Sequence, residues 1–223
     1  MASRKVRGGE RALGNVVTAS RDDVWRAIES LPPDLAWDEV RDGLRPVFVR
    51  RRPLPPGMDR PVSFSTSIGV KVALGIDIGP AFLYVGAAML ETWPVTGNQA
   101  FEVALANLHQ AAHAEQVYEL EYGTVGDVPM WWYQSRHGLA SGLLLLEDEL
   151  ARRFGDEPRL LIAPMRNLLI AAPIDADRDI IELVRDDVSQ EDPNGLDLPV
   201  FVLVDGRLGR DKRSQAKRAG MVH

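Results

Sequence analysis

Apolar positions along the chain alternate between helical and strand spacing. Val24, Trp25, Ile28 and Leu31 recur every three or four residues behind Ser20-Arg-Asp-Asp23, a capping-box pattern, and Pro32-Pro33 closes that helix. Leu35, Val40 and Leu44 predict a second short helix with Pro33 near its start. Val47-Phe48-Val49 reads as a strand, and Pro53, Pro55, Pro56 and Pro61 then mark an irregular loop, the kind of segment that often carries function. Residues 62–68 alternate loosely, and 70–78 and 81–86 are apolar and β-branched, as expected of strands in one sheet.

Thr96 can cap a long helix over 97–114, whose Ala100, Phe101, Ala104, Leu105 and Leu108 form one apolar stripe. Residues 117–122 alternate as a strand, 123–128 read as a loop, and 129–133 return as a second strand of a hairpin. A second amphipathic helix is expected over 139–154, with Gly155 at its stop. Two apolar strands, 159–163 and 167–171, flank a tight turn at Pro164-Met165-Arg166. Asp175, Asp177 and Asp179 open a third helix reaching about Ser189, and a strand over 199–204 ends at the turn Asp205-Gly206. Hairpins outnumber strand–helix–strand crossovers. The order predicts an α+β fold with a mixed, largely antiparallel sheet packed by helices. The helices 97–114 and 139–154 are expected to lie on one shared β layer and to wall a cleft.

Composition narrows the classes. A chain of 223 residues suits one large domain, here 20–206, between basic and flexible tails at 1–19 and 207–223. The absence of cysteine excludes disulfides and thiolate metal sites. A basic N-terminus with no apolar stretch behind it does not make a signal peptide, and no apolar run approaches membrane-spanning length, so a cytoplasmic protein is expected. The net charge is −6, yet both ends are basic, so the body between them is strongly acidic. That balance argues against a broad nucleic-acid face and leaves only the C-terminal tail, around Arg210–Arg218, for such contact.

Several groups invite a chemical reading. Gly75-Ile-Asp77-Ile-Gly79 is similar to the phosphate-binding stretch of sugar kinases and actin-like ATPases, but Pro80 replaces their hydroxyl residue and the chain is short for two lobes; a strand turn is the plainer reading. His109 and His113 share a helix face with Glu102 and are candidate metal ligands, although imidazoles near a helix C-terminus also suit its dipole. Asp175-x-Asp177-x-Asp179 opens like a calcium loop but lacks the glycine and glutamate that loop needs, so helix capping explains it better. His137, Ser141 and Arg166 are candidate catalytic residues; no acid completes a triad by sequence. Trp131 and Trp132 sit on a strand that either buries both or turns one outward, where exposed aromatics favour a partner. Asn107 beside the apolar stripe either locks its helix to a loop or lines a pocket.

Ala104-Leu-Ala-Asn107-Leu108 after Trp93 and Thr96, Gly138-Leu-Ala140-Ser141 before a leucine-rich segment, and Pro164-Met-Arg166-Asn167-Leu168-Leu169 occur in one order. In that order, over about residues 70–190, the chain resembles the uncharacterised bacterial YtpQ-like family, with its Ala-Leu-x-Asn-Leu helix, Tyr-Asp-Ala-Ser stretch and Pro-x-Arg-Asp-x-Leu turn. Leu139 and Asn167 stand where that family tends to acidic residues, so two carboxylates are missing. The resemblance implies the order of elements and brings no established activity.

These features predict a non-catalytic binding or regulatory protein that offers a cleft or aromatic strand to a protein partner or to itself, through Asn107, Trp131, Trp132, Arg166 and Asn167. No motif calls for a cofactor. The alternative is a hydrolase or metal-assisted enzyme in which Arg166 orients an anion beside His137 and Ser141.

Overall fold

The computed structural model describes residues 21–32, 34–49, 60–79, 81–115, 120–135, 138–191 and 195–213. The expected tail at 1–19, residues 214–223 of the tail expected over 207–223, the Ser20 cap, the prolines at 53–56 and His137 lie outside the described residues. The fold is α+β, and every strand pair among the described residues is antiparallel. The chain divides into two compact units, one drawn from residues 18–116 and the other from 117–223.

The first unit begins with α1 (Arg21–Glu29) and α2 (Trp37–Val40), the latter running into a 3₁₀ turn at Arg41–Gly43. Strands β1 (Leu44–Phe48), β2 (Ser63–Ser65), β3 (Lys71–Asp77) and β4 (Phe82–Tyr84) form one sheet in which β3 pairs with all three others. The short α3 (Ala87–Glu91) precedes α4 (Gly97–Ala114). Thr96 caps α4 as expected: its hydroxyl accepts from Gln99 N–H at 3.3 Å, and Gln99 Oε1 accepts from Thr96 N–H at 2.9 Å. Ala100, Ala104, Leu108 and Ala112 form the buried stripe of α4, and small alanines let the helix approach β1 and the preceding 3₁₀ turn closely. Leu44, Leu74, Ile76, Val85 and Trp93 complete that core.

Gly75 and Gly79 in this unit are structural. A Cβ on Gly75 would stand 3.0 Å from Val47 Cγ2 and 3.2 Å from Phe82 Cδ1, so the position is closed by packing. Gly79 takes φ +83° in the turn between β3 and β4, where its N–H donates to Asp77 Oδ1 at 2.9 Å. The carboxylate resembling a phosphate-site aspartate thus caps a turn.

The second unit carries β5 (Glu121–Val125), β6 (Val128–Gln134), a 3₁₀ turn at Ser141–Leu145, α5 (Glu147–Phe154), β7 (Arg159–Met165), β8 (Leu168–Pro173), α6 (Arg178–Glu191), β9 (Phe201–Val204) and β10 (Arg207–Arg210). Its six-stranded sheet runs β10-β9-β7-β8-β6-β5. One face, with Met130, Leu160, Ile162 and Ile170, packs with Ile181, Val184 and Val188 of α6. On the other face Arg153 of α5 lies 4.9 Å from the Tyr133 ring.

Four expectations need correction. The segment 139–154 is not one helix: a 3₁₀ turn ends at Leu146, whose φ −128° and ψ 85° break the path before α5 begins. Ser141, Gly142, Leu143 and Leu144 are buried in succession, whereas four consecutive residues of one α-helix would point to every side; the 3₁₀ turn and the break after it accommodate them. The shared β layer is also overturned, because α4 packs on the sheet of the first unit whereas 141–154 belongs to the second. The loop expected over 123–128 is only the two-residue turn Gly126-Asp127, with Val125 opposite Val128. Finally, the chain does not leave the fold at 207. Asp205 and Gly206 have φ 51° and 71°, the geometry of a tight hairpin turn, and β10 pairs with β9. Beyond β10, Asp211 is buried and forms an ion pair with Arg178 at 3.4 Å.

Candidate functional site

The hairpin β5–β6 at one edge of the six-stranded sheet holds the aromatic surface. Its register puts Tyr122 directly opposite Trp131, and their rings meet tilted at 54° with centroids 5.5 Å apart. Trp131 is half-buried, while Tyr122 is 64% exposed. Two strands further in, Arg159 projects from β7 onto the same face and lays its guanidinium 4.3 Å from the Trp131 ring centre. Arg159 is held in place: Nε donates to Phe154 O at 2.9 Å, and Nη2 donates to Glu157 Oε2 at 3.0 Å. An exposed phenol, an indole and a fixed cation therefore stand in a row, with Tyr122 outermost.

Trp132 does not belong to this row. Alternation turns it to the opposite face, where it packs with the core beneath α6. Gly123, across the hairpin, leaves room for its ring; a Cβ there would stand 2.9 Å from Trp132 Cζ3. Trp132, expected as a binding residue, is a packing residue.

A second group gathers at the β7–β8 turn. Ser141 N–H donates to Arg166 O at 2.9 Å, and Ser135 N–H donates to Asn167 O at 2.9 Å. Ser135 Oγ in turn accepts from Leu139 N–H at 3.1 Å. Ser141, Arg166 and Asn167 are thus neighbours, as the catalytic reading requires, but backbone groups make these bonds. Ser141 is only 3% exposed, whereas Arg166 and Asn167 are half-buried. The base in that reading, His137, lies outside the described residues.

Asn107 serves the first unit. Its Nδ2 donates to Arg41 O at 2.7 Å and to Leu44 O at 3.2 Å, tying α4 to the 3₁₀ turn and the start of β1. His109 and His113 are exposed, with parallel rings 6.2 Å apart. Together with Glu102 they do not gather ligand atoms within 4.8 Å of one another. Burial lowers the pKa of Arg45 on β1, and the nearby Asp77 charge opposes that effect.

Tyr122 and Arg159 were not among the residues singled out from sequence. The signal for Tyr122 was Val125-Gly126-Asp127-Val128, a two-residue hairpin turn that fixes Tyr122 opposite Trp131. No local signal marks Arg159, whose position depends on the strand order. No helix among the described residues is long and apolar enough to cross a membrane. Comparison of the chain with protein-family models, with curated proteins and with solved structures gives no match in any of the three.

Proposed function

We propose that this is a non-catalytic binding or regulatory protein of the cytoplasm, of the YtpQ-like kind, that docks a protein partner on the Tyr122–Trp131–Arg159 row. The exposed Tyr122 ring, backed by Trp131 and a fixed guanidinium, carries this reading. Tyrosine, tryptophan and arginine supply much of the binding energy at protein interfaces, because they offer large contact area at low entropic cost. Here Trp131 is half-buried and Arg159 is hydrogen-bonded in place against it, which lowers the cost of association.

Affinity capture from extract of the source cells, followed by quantitative mass spectrometry, tests the reading. A specific partner should be retained by the wild type and lost, by about tenfold or more, in Tyr122→Ala and Trp131→Ala. Leu183→Ala, at an exposed leucine on α6, should retain it fully. Equal retention by all four proteins overturns the assignment.

A further inference from the structure

We infer that the outer edge of β5 pairs antiparallel with β5 of a second copy of the chain, on a twofold axis at Gly123. The hydrogen-bonding parity of the sheet supplies the geometry. Ser135 N–H bonds to Asn167 O on the β8 side, so odd-numbered residues of β6 face β8. Its even-numbered residues, Val128, Met130 and Trp132, therefore bond to Val125, Gly123 and Glu121, their partners in register. This leaves the N–H and C=O groups of Tyr122 and Thr124 directed outward, with no pairing group among the described residues. Both residues are exposed.

The opposite edge of the same sheet is treated differently. Val204 and Arg207 close the β9–β10 turn, so Leu208 N–H points outward, and Glu147 Oε1 accepts from it at 2.8 Å. Edge strands are usually protected by such cover, by lysine or proline, or by a bulge. In β5, Glu-Tyr-Gly-Thr-Val, only the first residue is charged, the strand holds no lysine or proline, its register with β6 has no bulge, and among the described residues nothing pairs with its outer edge.

Self-pairing selects one register. On a twofold axis at Gly123, Tyr122 of each copy faces Thr124 of the other, and every outward N–H meets an outward C=O, giving four hydrogen bonds. Glu121 then faces Val125, so the like charges are not opposed. An axis at Glu121 would oppose the two carboxylates, and axes at Tyr122 or Thr124 would each leave one outward residue of β5 to pair beyond the strand. Gly123 meets Gly123 at the axis with no side chain between the backbones. The pairing uses the strand edge and leaves the Tyr122–Trp131 face open, so it stands independently of the proposed partner.

Sedimentation velocity of the full chain, across about 1–500 µM, reads the association, since a small interface gives a weak dimer. The wild type should show a concentration-dependent dimer. Thr124→Pro removes one outward donor per copy without touching a bond inside the hairpin, and it should weaken the dimer by about tenfold or more with unchanged circular dichroism. A spin label at Thr124→Cys keeps the backbone donor and reports register, because the two positions would lie diagonally at roughly 7–8 Å between their backbones, giving strong dipolar broadening. A monomer at every concentration overturns the inference and leaves this edge to an extended segment of some other protein. A dimer indifferent to Thr124→Pro, or one without broadening, overturns it equally.

Discussion

A methyl group on Gly123 would stand 2.9 Å from Cζ3 and 3.1 Å from Cη2 of Trp132, closer than a side-chain carbon approaches a ring. The indole packs against the core under α6, so it has little freedom to move aside. Gly123→Ala should therefore cost about 1–3 kcal/mol through overpacking, partly offset by the smaller entropy of the unfolded chain. Urea denaturation followed by tryptophan fluorescence measures both the loss and the altered indole environment. A variant as stable as the wild type, with the same emission, would show that the hairpin does not hold the ring there.

Glu147 joins α5 to the edge strand β10 by accepting from Leu208 N–H, and it also lies 3.5 Å from the exposed Arg207 guanidinium. The ion pair adds little, because Arg207 is almost fully in water. The bond to the amide matters more, since it satisfies an edge donor. Glu147→Ala should lower stability by about 1–2 kcal/mol and increase aggregation on heating. Glu147→Gln keeps an acceptor and should lose less. Thermal melts with light scattering separate the two; identical melts for both variants would locate the effect in the charge instead.

Local patterns made part of the fold legible and left other parts hidden. Helix α4 could be read because Thr96, Gln99 and the alanine stripe lie within one segment. The break at Leu146 could not, because leucines 143–146 satisfy a helical pattern and a 3₁₀ turn alike until the surrounding burial is known. The Asp205-Gly206 turn was visible, but the basic residues after it suggested a tail, and only the bonds to β9 and the Arg178–Asp211 pair show that strand pairing prevails. The aromatic row was half legible. Trp131 was evident, its choice of face over Trp132 depended on which side each helix covers, and Arg159 reaches it only through the β7-β8-β6 order. That strand order is set by contacts distant in sequence, which periodicity does not encode.

Glu149 and Arg153 form a buried ion pair on α5, with side chains 2% and 0% exposed, and Arg152 reaches the same carboxylate oxygen at 2.6 Å. Removing one member strands a charge away from water. Glu149→Leu should cost about 3–5 kcal/mol, and Arg153→Met a similar amount. The double variant Glu149→Leu/Arg153→Met should recover much of either loss, because it removes both charges at nearly equal volume. Chemical denaturation of the four proteins gives the coupling directly. Additive losses would mean that the pair does not act as one unit and that Arg153 serves chiefly through its contact with Tyr133.

Asn107 offers the sharpest distinction between a residue that holds structure and one that holds a ligand. Its Nδ2 has two protons, and both backbone carbonyls it meets, of Arg41 and Leu44, are acceptors. Arg41 O also accepts from Leu44 N–H and Leu44 O from Arg45 Nη1, so Asn107→Ala removes one of two donors from each and should cost about 1 kcal/mol. Asn107→Asp keeps the size but turns a carboxylate oxygen toward the same two carbonyls, so it should be worse than alanine near neutral pH. Protonation restores a single donor, and the gap between the two variants should narrow as pH falls through the carboxylate range. Stability measured for both from about pH 7 down to pH 4 tests this, using the ordinary aspartate range as reference. If Asn107→Asp proves as stable as the wild type at pH 7, the amide is not tying α4 to the start of β1, and a binding role for this position regains its standing.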